Sequence, residues 1–233
     1  MWRDIIWLLF LGAGIFAMLA CAVYEASKKR IKTETVVWMF VFSTVSGIIT
    51  GKLAVFFLWD NPASLFDISR FYTASSGVVA GSLAGAYAYC RIRKLPIWKH
   101  LDLFALGGGL IVFFGRLGCY FRGCCIGKPS VFWQKFGIAT HPFQLYDAAN
   151  GLMAFFVVLW VKKAKHPEGA LILAYLISYS AVRFVIEFFR AEQTFLYLTY
   201  SQYFYLLVLC AAAWKSKTIY TRLPEKVSKH LTR

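Results

Sequence analysis

A chain of 233 residues that is 59% hydrophobic and 18% aromatic, with a mean hydropathy of +0.58, is too apolar for a soluble domain. Its 26 Lys and Arg against 11 Asp and Glu leave a formal charge of +15. The basic residues are not gathered into one domain, an aromatic-rich sheet or a zinc-finger pattern, so the charge does not call for nucleic acid.

A hydrocarbon core of about 30 Å needs about 20 residues of helix. Seven apolar runs meet that length, at about residues 4–25, 35–59, 73–90, 100–119, 143–161, 169–189 and 198–214. The loops between them leave no room for a soluble domain, so the expectation is a single all-α, polytopic membrane domain over residues 1–233 with about seven spans. In the first run, "MLAC" at residues 18–21 resembles a weak lipoprotein cleavage box. The basic cluster follows this run instead of preceding it, and Arg3 is offset by Asp4, which favours an uncleaved first helix.

Lys28, Lys29, Arg30 and Lys32 follow the first run; Arg91, Arg93, Lys94 and Lys99 follow the third; Lys162, Lys163 and Lys165 follow the fifth. A tail at about 215–233 carries Lys215, Lys217, Arg222, Lys226, Lys229 and Arg233, whereas the alternate loops hold only Arg70, then Arg122, Lys128 and Lys135, then Arg190. By the positive-inside rule the N-terminus is outside and the C-terminus cytoplasmic, with the tail against anionic headgroups. Most of the positive charge is then topology.

The third run carries Gly77, Gly81 and Gly85 at four-residue spacing and the second carries Gly47 and Gly51, a pattern that lets helix backbones approach. In the fourth, Gly107, Gly108 and Gly109 suggest irregular backbone, tolerated at membrane depth where protein shields it. That run leads into "GRLGCYFRGCCIG" at residues 115–127, with Arg116, Arg122 and three cysteines. Adjacent Cys124 and Cys125 with Cys119 five residues earlier do not form a CxxC pair, and no second Cys or His cluster completes a zinc site. The expectation is buried, inert thiols and no metal or other cofactor.

The fifth run opens with "HPFQLYDAAN" at residues 141–150, where Pro142 suits a helix start and His141, Gln144, Asp147 and Asn150 share a polar stripe. His141 is a candidate proton acceptor because its charge changes near neutral pH. In the sixth run Ser180, Arg183, Glu187 and Arg190 recur at one-face helical spacing. A charge at the centre of a span costs roughly 2.5–3.5 kcal/mol on insertion scales, so Arg116 and Arg183 read as functional. One carboxylate, Glu187, does not neutralise Arg116, Arg122, Arg183 and Arg190, and the planar guanidinium fork suits a phosphate. A phospholipid headgroup near the outer leaflet is the natural counter-ion.

In this order and rough spacing, the three elements resemble the prolipoprotein diacylglyceryl transferases of bacterial inner membranes. "GRLGCYFRGCCIG" is similar to the family's GRxGN-type segment, "HPFQLYDA" to its HPxQLYE element and "SAVRFVIEFFR" to its RFxxEFFR element, over about residues 72–210. Cys119 stands where the family usually has Asn, and Ser75 and Ser76 where an aromatic or His often precedes a Gly-Gly pair. The resemblance implies a multi-pass enzyme of the inner membrane, with its site toward the outer leaflet. It would move diacylglyceryl from phosphatidylglycerol to the lipobox cysteine of a preprolipoprotein signal peptide, forming a thioether and releasing glycerol phosphate. Arg116 and Arg183 would hold the phosphate, His141 would take the thiol proton and Glu187 would fix the arginines. Arg122, Gln144, Tyr146, Asn150, Arg190, Ser75, Ser76 and Cys119 would line the substrates.

The residues alone also suit a lipid or anion transporter, although no internal repeat of the kind many transporters carry is evident. A related transferase with a different acceptor and a thiol oxidoreductase using Cys124 and Cys125 are further readings.

Overall fold

The computed structural model describes residues 2–59, 74–191 and 194–221; Arg70 and the tail residues Arg222, Lys226, Lys229 and Arg233 lie outside them. In chain order the elements are α1 (Trp2–Lys28), α2 (Thr33–Trp59), α3 (Ser75–Ile92), α4 (Ile97–Arg122), the single turn α5 (Val131–Gln134), α6 (Phe143–Lys163) and α7 (Ala170–Ile186). A 3-10 turn (Glu187–Phe189), a hairpin of β1 (Thr194–Phe195) and β2 (Leu198–Thr199), and α8 (Tyr200–Thr221) complete them. Every expected apolar run therefore corresponds to a helix. Among the described residues, five helices are long and apolar enough to cross a membrane: α1, α2, α4, α6, and α7 with the turn that follows it. α3 is rich in Gly, Ala and Ser, and α8 carries Gln202, Lys215 and Lys217, which keeps both less apolar.

The described residues form two units, residues 23–101 and, separately, residues up to 22 with those from 102 onward. In the first unit α2 packs on α3 through the expected glycines. A Cβ on Gly77 would stand 2.7 Å from the Thr50 carbonyl oxygen, one on Gly85 would stand 2.6 Å from that of Phe42, and one on Gly81 would collide with the Thr50 hydroxyl. The Thr50 hydroxyl instead donates to the Gly77 carbonyl at 2.7 Å, a hydrogen bond between helices that only this close approach permits.

In the second unit, Gly107, Gly108 and Gly109 sit in continuous α-helix, contrary to the irregular backbone expected of them. Their role is packing: Gly107 meets Met18, Gly108 meets the Tyr175 ring, and Gly109 meets the Gly151 carbonyl and Phe155. Buried Asp102 accepts from the Gly169 and Ile172 N–H groups at 2.7 and 2.9 Å, satisfying the otherwise unpaired donors at the start of α7. The start of α8 is fixed by a reciprocal cap: the Gln202 side chain accepts from the Thr199 N–H at 2.8 Å, and the Thr199 hydroxyl accepts from the Gln202 N–H at 3.1 Å. That cap and the hairpin displace the helix start from 198 to 200, and the helix runs on past 214 to Thr221.

α6 buries its polar stripe and exposes apolar side chains. Gln144, Asp147 and Asn150 are buried, while Met153, Phe156 and Trp160 are exposed. In water this arrangement would be unfavourable; in a bilayer the exposed apolar face meets lipid and the polar groups pair within the protein.

Candidate active site

The polar stripe of α6 meets the charged face of α7 and the end of α4. Arg116, on the penultimate turn of α4, places its Nε 2.7 Å from Asp147 Oδ2. Asp147 is fully buried, and its Oδ2 also lies 3.6 Å from Arg183 Nε while its Oδ1 accepts from the Tyr179 hydroxyl at 3.1 Å. Arg183 pairs with Glu187 one turn along, and Glu187 Oε1 is 3.4 Å from Arg190 Nη1. The network is a chain, Arg116 to Asp147 to Arg183 to Glu187 to Arg190, in which three guanidinium groups meet two carboxylates.

Aromatic rings support the cations. The Arg183 guanidinium lies 4.7 Å from the Phe143 ring centre and 5.4 Å from that of Tyr205, and Arg190 is 5.4 Å from Phe143. Arg183 is wholly buried, and among the described residues its Nη2 has no hydrogen-bond partner. An unpaired N–H of a buried guanidinium costs the desolvation of a charged donor, which an anion would recover.

The helical face expected through Arg190 stops short. α7 ends at Ile186, the 3-10 turn follows, and Arg190 is extended, with φ −87° and ψ 140°. The departure joins three loops. The Lys128 N–H donates to the Phe189 carbonyl at 2.8 Å, the His141 N–H to the Lys128 carbonyl at 2.9 Å and the Gly127 N–H to the His141 carbonyl at 3.2 Å. A Cβ on Gly127 would stand 2.6 Å from the Phe189 oxygen and 2.7 Å from the His141 oxygen, so this junction requires glycine.

His141 is in that junction and not on the helical stripe, because α6 begins only at Phe143 with Pro142 as its cap position. Its Nδ1 is 3.1 Å from the Tyr146 hydroxyl oxygen, which also accepts from the Trp133 indole N–H, and its ring lies 4.8 Å from that of Phe189. Gln144 donates to the Cys124 carbonyl, and Asn150 to the Tyr179 carbonyl at 3.1 Å. Arg122 turns elsewhere, with its Nε 3.1 Å from Asp4 and its guanidinium 4.9 Å from the Trp7 ring centre. Six residues after Arg116 it points to another side of the helix, so it does not add to the cluster's charge. Ser75 and Ser76 open α3, in the unit of residues 23–101.

Two features escaped the sequence reading. Asp147 was visible in the polar stripe, but only the tertiary structure makes it the second carboxylate, so the positive surplus is smaller than the count against Glu187 alone implied. Cys119, Cys124 and Cys125 converge, with their sulfurs within 4.8 Å of one another, although their spacing is not CxxC. Hydrogen bonds shared among the three thiols lower the Cys125 thiol, with the charges of Arg116 and Arg190 adding to this, and raise that of Cys124.

Residues 6–216 match the family model described as prolipoprotein diacylglyceryl transferase. The phosphatidylglycerol–prolipoprotein diacylglyceryl transferase of Clostridium tetani is 28% identical over 202 residues, which cover 77% of this chain and 81% of that protein. The enzyme of the same name from Campylobacter curvus is 30% identical over 210 residues, 81% of this chain and 76% of its own. That of Campylobacter lari reaches 41% over 118 residues, 49% of this chain and 44% of its own. A match running through α1, the buried arginines and most of α8 leaves one assignment: the chain belongs to the prolipoprotein diacylglyceryl transferase family.

Proposed function

We propose that this chain transfers the diacylglyceryl group of phosphatidylglycerol to the lipobox cysteine thiol of a preprolipoprotein. Family membership supports the reaction, and the observation that supports this site is the buried Arg116–Asp147–Arg183–Glu187–Arg190 chain, in which Arg183 Nη2 has no hydrogen-bond partner among the described residues. The thiolate attacks the glycerol carbon that bears the phosphate. As the C–O bond breaks, its electron pair stays on the phosphate oxygen, and glycerol phosphate leaves with one more negative charge than the headgroup carried. Arg116 and Arg183 hold that phosphate and stabilise the developing charge, an electrostatic contribution that is largest in a site closed to water. Asp147 and Glu187 fix the guanidinium groups, and Arg190 closes the phosphate side.

His141 takes the thiol proton. With Nδ1–H donated to the Tyr146 oxygen, Nε2 is left as the accepting atom. Gln144, Tyr146 and Asn150 shape the polar wall, and Cys119 lies one turn from Arg116.

The enzyme is one multi-pass domain of the bacterial inner membrane with seven spans, α3 and α8 included. Its N-terminus is outside, its C-terminus is cytoplasmic and its site faces the outer leaflet, which the distribution of Lys and Arg supports. The test is reconstitution in phosphatidylglycerol vesicles with a lipobox peptide. The expected product is the peptide heavier by one diacylglyceryl group, with glycerol phosphate released in equal amount. Absence of both from a folded preparation overturns the reading.

A further inference from the structure

The three converging thiols adjoin the arginine chain. Cys119, Cys124 and Cys125 are free, none is fully buried, and the Cys124 and Cys125 sulfurs are 3.7 Å apart. Sulfurs bound at about 2.3 Å around a tetrahedral ion stand about 3.8 Å from one another, so one pair already has that separation. The widest pair needs to close by at most about 1 Å to reach it. Four residues separate Cys119 from Cys124, within the usual spacing of paired zinc ligands.

The backbone is bent to bring these sulfurs together. After α4 ends, the Gly123 and Cys124 N–H groups fold back onto the Cys119 carbonyl at 3.0 and 3.3 Å. Gly123 takes φ +76° and Cys125 φ +59°, a left-handed conformation unfavourable for a residue with a Cβ. Positive charge is at hand, since Arg116 lies on α4 one turn before Cys119. Three thiolates around a divalent cation carry one net negative charge, which a guanidinium group offsets.

We propose that Cys119, Cys124 and Cys125 bind a thiophilic divalent cation, Zn²⁺, with a fourth coordination position open to the acceptor thiol of the lipobox peptide. The acceptor part rests on the transferase reading above. Three protein ligands and one open position is the arrangement of catalytic zinc sites, and a thiol that coordinates zinc is deprotonated outright. The balance is simple. The peptide S–H bond breaks, its proton passes to His141, and a Zn–S bond forms. The sulfur then bonds to the glycerol carbon while the C–O bond to phosphate breaks, its electron pair leaving with glycerol phosphate. The thioether product is a weak ligand and dissociates.

The experiment uses the full chain in detergent and in phosphatidylglycerol vesicles. Elemental analysis after dialysis is expected to find Zn²⁺ near one per chain. Co²⁺ titration of the unmutated chain is expected to give a thiolate-to-cobalt charge-transfer band, which strengthens by about a third when a lipobox peptide adds a fourth thiolate to the three. Cys119→Ser, Cys124→Ser and Cys125→Ser are each expected to weaken metal binding by at least the roughly 10–100-fold that loss of even an outer-shell partner costs. Chelation is expected to stop lipidation, and Zn²⁺ to restore it.

Absence of the cobalt band in the folded, unmutated chain overturns the site. A band that ignores the peptide, together with full lipidation by the metal-stripped enzyme, overturns the acceptor role. If the peptide thiol joins the cobalt but zinc-loaded enzyme yields no lipidated peptide, the cation site and its open position stand, and the transferase reading is what fails.

Discussion

Arg183 is the residue on which the site turns, because it is wholly buried, stacks on Phe143 and Tyr205 and touches both Asp147 and Glu187. Removing one partner of a buried pair costs about 3–5 kcal/mol, since the other charge is left uncompensated. A charge-conserving change therefore separates chemistry from folding. Arg183→Lys and Arg116→Lys keep the charge but lose the planar fork that grips two phosphate oxygens. Each is expected to lower diacylglyceryl transfer about 100-fold, the order seen on losing one donor to a developing oxyanion. The protein should still run as a single detergent-solubilised species. Near wild-type transfer by both variants would remove the phosphate clamp. The sequence disclosed both arginines through their cost at membrane depth, but it did not disclose Asp147, because a carboxylate in a polar stripe acquires a partner only when another helix arrives.

Among the elements, the α2–α3 pair depends on the absence of side chains. Gly81→Leu drives carbon into the Thr50 hydroxyl and the Ser46 carbonyl, and backbone atoms have little room to yield. Overpacking of this kind costs about 1–3 kcal/mol or more. Thermal unfolding in detergent is expected to show a clear loss for Gly81→Leu, and none beyond a few tenths of a kcal/mol for Gly115→Ala, whose added Cβ meets nothing within 4 Å. Equal stability of the two variants would contradict the close packing. Four-residue glycine spacing made close packing legible in advance, while the pairing of α2 with α3 came from the structure. The same reasoning misread Gly107, Gly108 and Gly109, because a glycine run signals close approach as readily as irregular backbone, and only the neighbours Met18, Tyr175 and Phe155 distinguish them.

For the whole molecule, the proposed orientation is open to direct labelling. On a background lacking the six native cysteines, Phe132→Cys is expected to react with an impermeant thiol reagent only from outside, and Arg30→Cys and Lys94→Cys only from inside. Labelling of position 132 from the cytoplasmic side alone would invert the topology. Composition and the length of apolar runs determined by themselves that the chain is helical and suited to a membrane, because the bilayer sets the length of an element and leaves few backbone solutions. The order of the three charged elements was likewise sufficient to suggest the family. Tertiary structure alone decided which charges meet. It sent Arg122 to Asp4, brought Asp147 between Arg116 and Arg183, stopped α7 so that Phe189 could pair with Lys128, and folded Cys124 and Cys125 back upon Cys119. Helical periodicity specifies the direction of a side chain about its own axis, whereas its partner depends on how that axis is rotated and placed against its neighbours, which packing over many residues determines.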